Sequence, residues 1–586
     1  MSAPASPGVA ALAARDAGVL LVDRVTLPRT LLWVAAIAIV LFAQIGAPTF
    51  WDPDEAHYAQ TSREMLAAGN WWVPLFNDEP FFDKPILFHV LQMLAYASFG
   101  VSEASARLVS VVGAIGLTAV TWWCGAALVS AEVGEFAGLL VLTMPGTFAL
   151  ARYAILDTVF ATWLFGGFAC LSVALLRRRR HLQPVGFVFI ALAVLTKGPV
   201  AVVLLGLVFA ALWISDSDVR RLASELRWGL GAVIVVALSG PWFLAMWWRF
   251  GQAFVDVYVL RENLWLFLKP LYQSTRSHWF YLRVLAVSLL PWSTVGLGRL
   301  VDVVRDVRRG TAVAIEERLL WSWVIAIVAF FSLSRFKLDH YIFPVGPAAA
   351  LLIAMAWSRW TAAPRAPENA GVRLGIWAVG PTLIGLGVAG ILYARRLPID
   401  LPATVRALPA LFFVGGLGAL LAVRRQSRAP FRIPLGAVST IVAAYALVIT
   451  LVAPEVERGK TVPLLARWVD RHADPRARIG AFQLHRWGAS WRFYVGRHTD
   501  FLDDETALAT FFETSEPAYC AMVAEEFDRL GTRVHQPLNI ATTVAGLAST
   551  SGGQGLAGDS GRWRRFVVVT NVEAPPAGRE PPERQP

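Results

Sequence analysis

The chain has 586 residues, of which 56% are hydrophobic and 16% are charged, with a mean hydropathy of +0.53. A soluble globular protein of this length carries more charge, so the composition excludes that class and indicates a bundle of helices in lipid. The net charge of +11 does not indicate nucleic-acid binding, because the lysines and arginines cluster in short loops between apolar runs. The cysteines at 124, 170 and 520 lack the spacing of a metal site or a disulfide framework.

Residues 1–28 are rich in Ala, Pro and Ser, and we expect a disordered cytoplasmic segment. No long apolar run precedes Leu31, so this segment does not resemble a cleavable signal peptide, and the first span is expected to act as an uncleaved anchor. From there to residue 454 the apolar runs predict about 13 crossings of a ~30 Å hydrocarbon core. The predicted spans are Leu31–Ile45, Leu108–Val129, Phe136–Leu150, Thr158–Leu176, Val185–Thr196, Gly198–Ile214, Trp228–Trp247, Val284–Gly298, Leu319–Ser334, Tyr341–Trp357, Leu374–Ala394, Ala407–Val423 and Ile433–Ala453.

The direction of the spans depends on Ile86–Phe99, an apolar run of only fourteen residues. A run of that length is more often interfacial or re-entrant than spanning. If it does not span and the N-terminus is cytoplasmic, four groups of arginines fall in the cytoplasm, as the positive-inside rule requires. These groups are Arg177–Arg180; Arg220, Arg221 and Arg227; Arg299, Arg305, Arg308 and Arg309; and Arg424, Arg425 and Arg428. The loops 49–107 and 249–281 then lie on the outer face.

Beyond Pro454 the apolar runs shorten and charges return to ordinary density, so we predict a small extracytoplasmic α/β domain over residues 455–572. β-branched and aromatic runs predict two strands, and apolar periodicity predicts two short helices. These are the strands Tyr519–Val523 and Phe566–Val572 and the helices Leu465–Arg471 and Ala507–Thr514. A Gly/Ser-rich stretch, Ser549–Gly561, is expected to be a mobile loop, and residues 573–586 a disordered tail.

Carboxylates gather at the start of the first outer loop, at Asp52, Asp54 and Glu55. Like charges this close raise at least one pKa unless cations lie nearby, and a general base needs such a carboxylate near the acceptor. Asp157 stands at another outer edge of the membrane and is a candidate to orient an acceptor. The alternative for the three carboxylates is the acidic first turn of a solvated helix. The alternatives for Asp157 are a bound cation and a simple ion pair with Arg152.

Cations at the outer face are candidate partners for a lipid phosphate. Lys84 heads the interfacial run, where an ammonium can bind phosphate, although a snorkelling lysine fits there equally. Lys197 lies between two short spans, which is an expensive place for a charge without a function. The loop 249–281 has more cations than anions, which a lipid phosphate would explain, while its aromatics fit a membrane-interface belt.

Several segments resemble, in order, the aminoarabinose transferases and the wider dolichyl-phosphate-mannose-protein mannosyltransferase-like family of GT-C glycosyltransferases. The matching motifs are Trp51–Ala59 (WDPDEAHYA), Arg63–Trp71, Phe82–Pro85 (FDKP), Phe99–Val101, Leu156–Asp157, Thr196–Pro199, Gly240–Trp242, Trp279–Tyr281, Leu290–Trp292 and Phe331–Pro344. The resemblance covers residues 50–350 well. It implies an all-α polytopic membrane protein of GT-C fold, with the predicted spans and a small α/β C-terminal extracytoplasmic domain.

The resemblance implies an inverting transfer from a polyprenyl-phosphate sugar, with or without a divalent metal ion, at the periplasmic face of a bacterial inner membrane. Asp54 matches the essential first-loop aspartate of the family, and Lys84 matches the lysine that contacts the carrier phosphate. Lys337 and Tyr341 fall at the family's Lys-Leu-Pro-x-Tyr positions near that phosphate. The candidate catalytic residues are therefore Asp54, Glu55 and Asp157. The candidate donor-phosphate residues are Lys84, Lys197, Arg261, Arg276, Lys337 and Tyr341.

The chain departs from the family pattern at several positions. Asp83 stands where the family usually has Glu, Asn263 where it often has His, Leu266 where an Arg usually follows, and Asp339 where the last motif has Pro. These changes weaken the case for a bound metal, for which Asp83 and His278 are the candidate ligands. They also predict that the sugar or the acceptor differs from the aminoarabinose and lipid A pair. The sequence does not name the acceptor, for which lipid A, another glycolipid, a polysaccharide and a protein all stay open.

Two other functions are compatible with a polytopic chain. A lipid or solute transporter commonly has inverted repeats and charges at mid-membrane, whereas no internal repeat is evident here and the candidate residues lie at one face. A non-catalytic binder of a lipid-linked glycan is the other alternative, against which the presence of Asp54, Lys84 and Asp157 argues.

Overall fold

The computed structural model describes residues 27–215, 220–221, 223–269, 276–396, 401–425, 432–484, 488–530, 537–547 and 563–573. The segment before residue 27, the loop 549–561 and the tail after residue 573, for which we predict disorder or mobility, lie outside these ranges.

Helices form most of the described chain. In the first half they are Leu27–Ala36, Ile37–Phe42, Asp54–Ala67, Leu87–Phe99, Glu103–Leu128, Ala131–Thr143, Pro145–Ala151, Asp157–Leu176, Leu182–Lys197, Val200–Ser215, Trp228–Phe250, Gln252–Phe254, Val255–Trp265, Leu266–Leu268 and Phe280–Ser288. In the second half they are Ser293–Arg308, Ile315–Leu333, Asp339–Val345, Gly346–Ala362, Pro367–Asn369, Ala370–Ala394, Ala403–Arg406, Ala407–Arg424, Arg432–Leu447, Val448–Val452, Ala453–Arg458, Val462–His472, Gly488–Val495, Glu505–Phe512 and Ala524–Leu530.

Within the described ranges, seven helices are long and apolar enough to cross a membrane, or up to eight if the bent pair Ala131–Thr143 and Pro145–Ala151 is one span. The seven are Glu103–Leu128, Asp157–Leu176, Trp228–Phe250, Asp339–Ala362, Pro367–Ala394, Ala403–Arg424 and Ile433–Arg458. Shorter apolar helices are Thr30–Phe42, Leu87–Phe99, Leu182–Lys197 and Val200–Ile214. The polytopic helical architecture is thus confirmed, whereas the number of 13 crossings stays a prediction.

The predicted span Val284–Gly298 is interrupted in the structure. One helix ends at Ser288 and the next begins at Ser293. Pro291 lies in the gap, and because proline has no N–H it cannot continue the hydrogen-bond ladder of a helix. Hydropathy alone does not register this break.

The helix Asp157–Leu176, named here the central helix, runs through the middle of the bundle, and 89% of its apolar stretch is buried. It packs directly on Glu103–Leu128 because Gly113 has no side chain at the crossing: a Cβ there would lie 2.7 Å from the backbone of the central helix. The Ser110 hydroxyl donates a hydrogen bond across the same contact to the carbonyl of Ile155 at 2.8 Å. This close approach determines where the N-terminus of the central helix lies.

The C-terminal α/β unit, residues 462–573, has one mixed sheet of five described strands. Their spatial order is Asp500–Leu502, Arg478–Phe482, Ala518–Val523, Trp563–Thr570 and Asn539–Leu547. The first two pairings are parallel and the last two are antiparallel. Tyr519 and Ala521 enter one buried cluster, while Cys520 and Met522 enter another, so apolar side chains cover both faces of the sheet. A further two-stranded hairpin, Leu75–Phe76 with Glu79–Pro80, lies in the first outer loop.

Each element predicted after residue 454 overlaps an observed one. The strands are Ala518–Val523 and Trp563–Thr570, and the helices are Val462–His472 and Glu505–Phe512. The last apolar segment continues as a helix to Arg458, so the compact unit begins a few residues later than the predicted boundary at residue 455.

Candidate functional site

The loop helix, Asp54–Ala67, carries two of the predicted catalytic carboxylates in its first turn. Glu55 is fully buried, and its Oε1 accepts hydrogen bonds from Arg107 Nε at 2.6 Å and from the Ala154 N–H at 2.9 Å. Its Oε2 accepts one from the Trp51 N–H at 3.0 Å. A buried carboxylate with these partners ties three chain segments together. In the structure Glu55 is the partner of Arg107 in a buried ion pair, and its catalytic role stays a prediction.

Asp54, next to it, has no hydrogen-bond partner among the residues that the structure describes. Burial raises the pKa of the Asp54 carboxyl group above its ordinary value. His340 and Lys84 oppose this shift, whereas the neighbouring carboxylates Asp83 and Asp157 add to it. A carboxylate with an open oxygen and a raised pKa has the properties of a general base.

One ion pair near Asp54 begins at the N-terminus of the central helix. Asp157 is buried, and its Oδ1 lies 2.5 Å from the Nζ of Lys197. Its Oδ2 lies 3.9 Å from the Nε2 of His340. The Lys197 ammonium also lies 4.8 Å from the centroid of the Tyr341 ring, in a cation–π contact. The fold thus brings together three predicted residues, Asp157, Lys197 and Tyr341, that belong to three separate helices.

A second ion pair near Asp54 comes from the first outer loop. The Nζ of Lys84 lies 2.5 Å from the Oδ1 of Asp83 and 3.9 Å from the Oε2 of Glu262. The Tyr58 hydroxyl donates to the Oδ2 of Asp83 at 3.5 Å. Burial disfavours the charge on Lys84, but the two carboxylates outweigh this effect and raise its pKa.

The two carboxyl groups beside Lys84 differ in protonation. Burial favours the neutral form of Asp83, but the Lys84 ammonium outweighs it and lowers the pKa of Asp83 to about 2. Burial raises the pKa of Glu262 to about 7, with Asp83 adding to the shift. Around neutral pH, Asp83 is therefore ionised while Glu262 exchanges its proton.

The three remaining candidates for the donor phosphate have partners of other kinds. The Arg261 side chain is 65% exposed, with its Nε 3.9 Å from Glu262. Arg276 binds the carboxylate of Asp339 at 2.7 Å. Lys337 is buried and donates a hydrogen bond to the backbone carbonyl three residues before it. Their role in phosphate binding stays a prediction.

The side chains do not fit a metal ion at Asp83 and His278. Both oxygens of Asp83 have partners, in Lys84 and Tyr58, and His278 lies on an exposed turn. In the described ranges, no group of three or more His, Cys, Asp and Glu side chains could hold a metal ion. No step of the reaction proposed for this chain therefore depends on a metal.

Three residues that lie around these two ion pairs are not among the candidates predicted from the sequence. Tyr58 lies four positions after Asp54 on the loop helix, so helical periodicity was a usable signal for it. His340 stands inside the motif that supplied Tyr341. Glu262 gave no local signal, because its position beside Lys84 depends on how two distant loops fold together.

Residues 29–258 match the family described as dolichyl-phosphate-mannose-protein mannosyltransferase. The undecaprenyl phosphate-alpha-4-amino-4-deoxy-L-arabinose arabinosyl transferase 1 of Sodalis glossinidius (strain morsitans) is 31% identical over 338 residues, covering 55% of this chain and 58% of the relative. The transferase of the same description, without the final number, from Edwardsiella ictaluri (strain 93-146) is 29% identical over 367 residues, covering 60% and 63%. The chain thus spans about three fifths of the length of these curated relatives.

The fold resembles that of solved membrane proteins over nearly the whole chain. ArnT from Cupriavidus metallidurans, in a crystal structure bound to undecaprenyl phosphate, aligns with a TM-score of 0.71 and 22% identity, covering 93% of this chain and 99% of that one. The oligosaccharyltransferase of Archaeoglobus fulgidus in its apo form aligns with a TM-score of 0.50 and 13% identity, covering 86% and 70%. The chain is thus similar in sequence to the aminoarabinose transferases over about three fifths of their length, and it shares the fold of ArnT.

Proposed function

We propose that the chain is a glycosyltransferase that moves a sugar from an undecaprenyl-phosphate type of donor to an acceptor in the bacterial envelope. The observation that carries this proposal is the geometry around Asp54: a partly buried carboxylate without a hydrogen-bond partner among the described residues, close to Lys84 and near the Asp157–Lys197 pair. A transferable sugar on a phosphate needs a base for the acceptor and cations for the leaving group. The names of the curated relatives support the same class of donor.

The proposed reaction is one displacement with inversion at the anomeric carbon. Asp54 takes the proton of the acceptor hydroxyl or amine, and the lone pair of that acceptor atom forms the new bond to the anomeric carbon. The bond from this carbon to the phosphate oxygen breaks, and its electron pair stays on the phosphate. Lys84 and Lys197 stabilise the charge that grows there, and both are already oriented by carboxylates.

We also propose that this site faces the periplasm, in an inner-membrane protein of 13 crossings with a cytoplasmic N-terminus. The helix Leu87–Phe99 has 13 residues and is thus about 20 Å long, too short for a ~30 Å core. At the N-terminal end of the helix Ile315–Leu333, Glu317 binds Arg299 at 2.7 Å and Arg359 at 2.8 Å. Basic residues gathered at that end support a cytoplasmic location for it. The C-terminal α/β unit then lies in the periplasm beside the site.

The acceptor belongs to a broad class: lipid A, another glycolipid, a polysaccharide or a protein. The relatives' names support an amino-arabinosyl donor for those proteins. In this chain, the acid pair Asp83 and Glu262 beside Lys84 supports a donor or acceptor of a different kind.

The test is transfer from a panel of radiolabelled undecaprenyl-phosphate sugars, with membranes containing wild-type protein, Asp54→Asn or Asp256→Asn. Asp256 is the matched control, because it is an exposed outer-loop carboxylate that accepts a hydrogen bond from Gln252 at 2.8 Å. We expect one sugar to move with wild type and Asp256→Asn, and turnover to fall about 100- to 10,000-fold in Asp54→Asn. Donor binding is expected to persist in Asp54→Asn.

Other outcomes contradict the proposal in different ways. If no sugar moves while the carrier lipid binds, the chain is a lipid-linked glycan binder or a transporter. If Asp54→Asn loses donor binding and turnover to the same extent, Asp54 is a structural residue and the base lies elsewhere.

A further inference from the structure

The docking helix, Gly488–Val495, belongs to the C-terminal α/β unit and lies against the first outer loop. Its Ser490 is fully buried, and the Ser490 N–H donates a hydrogen bond to the Oδ1 of Asp52 at 2.9 Å. The Ser490 hydroxyl donates a second hydrogen bond to the Oδ2 of the same carboxylate. Asp52 is itself fully buried. Ser490 thus binds both carboxylate oxygens of a residue that lies more than 400 positions before it in the chain.

Asp52 stands two positions before Asp54, and Glu55 directly follows Asp54. Glu55 is held by Arg107 at 2.6 Å, on a helix of the transmembrane bundle. Asp52 is held by Ser490, on the α/β unit. The backbone that carries Asp54 is therefore fixed on both sides by buried carboxylates, one bound to each part of the protein.

Two other residues of the docking helix, Arg492 and Tyr494, bind parts of the chain other than Asp52. Arg492 lies 3.1 Å from Glu64, far along the loop helix. The Tyr494 hydroxyl accepts a hydrogen bond from the Phe50 N–H at 2.8 Å and donates one to Glu103 at 2.9 Å. The helix therefore has enough other contacts to stay docked when the Ser490 hydroxyl is removed.

We propose that Ser490 is a positioning residue of the site: through Asp52, the C-terminal α/β unit sets the place of the Asp54 carboxylate. This inference rests on the proposed function for its catalytic consequence. Its physical basis is that a base works only when its oxygen lies within hydrogen-bond reach of the proton it takes. Small displacements imposed from a distance then cost turnover rather than donor affinity.

The experiment compares wild type with Ser490→Ala, Asp52→Ala, their combination and Tyr494→Phe. Tyr494→Phe is the matched control, because it removes docking hydrogen bonds of the same helix that do not reach Asp52. We expect Ser490→Ala to lower kcat about tenfold to a hundredfold at an unchanged KM for the donor. Tyr494→Phe is expected to keep the wild-type kcat. The double variant Ser490→Ala with Asp52→Ala is expected to lose no more kcat than Asp52→Ala alone, because Ser490 and Asp52 act through one contact.

A second measurement does not depend on sugar transfer. Hydrogen exchange of the backbone amides over residues 52–58 should become faster in Ser490→Ala and not in Tyr494→Phe. If exchange over residues 52–58 is faster in Ser490→Ala but the wild-type protein transfers no sugar, the proposed function is wrong while the contact between Ser490 and Asp52 still positions the backbone at Asp54. Wild-type kcat in Ser490→Ala overturns the inference, and so does an equal loss in Ser490→Ala and Tyr494→Phe, which would mean general undocking.

Discussion

Replacing Glu262 with glutamine tests how the acid pair beside Lys84 controls donor binding. The pKa of Glu262 is raised to about 7, so its carboxyl group keeps its proton at pH 6 and has lost it at pH 8. The ionised group, with its Oε2 3.9 Å from Lys84 Nζ, competes with the donor phosphate for the ammonium and repels the phosphate. Donor affinity of the wild type is therefore expected to fall as the pH rises through about 7, whereas Glu262→Gln stays neutral and keeps its affinity.

The size of the effect follows from this distance. Two unit charges 3.9 Å apart interact by about 4 kcal/mol at an effective dielectric constant of 20. Lys84 is already paired with Asp83, and the side chain of Glu262 is 21% exposed, so solvent and the existing pair reduce the net effect to about 1.4 kcal/mol. This corresponds to about a tenfold difference in donor affinity between Glu262→Gln and wild type at pH 8, and to none at pH 6.

The assay is equilibrium binding of a labelled polyprenyl phosphodiester to purified protein in detergent, from pH 6 to pH 8. A phosphodiester keeps one negative charge over this range, so an inflection belongs to the protein. The control is Glu79→Gln, because Glu79 is an exposed carboxylate of the same outer loop and should reproduce the wild-type curve. A flat wild-type curve, or an inflection that persists in Glu262→Gln, would refute the reasoning.

Two further predictions concern the buried ion pairs. Arg107→Met leaves Glu55 as an unpaired buried charge, so it is expected to destabilise the protein by about 3–5 kcal/mol in unfolding measurements in detergent. Adding Glu55→Gln should recover most of that loss, and a single variant as stable as wild type would contradict the structural role of the pair. Lys197→Met removes the partner of buried Asp157 and is expected to lower kcat/KM for the donor at least about thirtyfold. Lys269→Met, at an exposed outer-loop lysine, should match wild type, and equal losses in both would point to a general charge effect.

Local signals predicted part of the site because its residues stand in short, charged segments between apolar runs. Asp54, Lys84, Asp157 and Lys197 each occur where a hydrophobic stretch begins or ends, and the structure brings them into one cluster. The apolar runs themselves predicted a polytopic helical chain, since lipid requires every backbone hydrogen bond to be made within helices.

Roles within a motif could not be assigned in the same way. Asp52, Asp54 and Glu55 are chemically alike in the sequence, yet the structure gives them different partners. Arg107 lies 52 positions from Glu55, and Ser490 lies 438 positions from Asp52. Only tertiary contacts decide which carboxylate of the three is left unpaired, and the sequence pattern contains no record of them.

The short helices on either side of Gly198 have a consequence for the surrounding lipid. Leu182–Lys197 and Val200–Ser215 contain 16 residues each, which gives each a length of about 24 Å, roughly 6 Å less than an ordinary hydrocarbon core. A bilayer that surrounds such helices thins locally to avoid hydrophobic mismatch. Headgroups then sit closer to the Lys197 ammonium. Under the proposed function, a polyprenyl phosphate would reach this ammonium while its chain stays dissolved in the membrane, and the thickness of the host bilayer would determine donor access alongside the residues of the site.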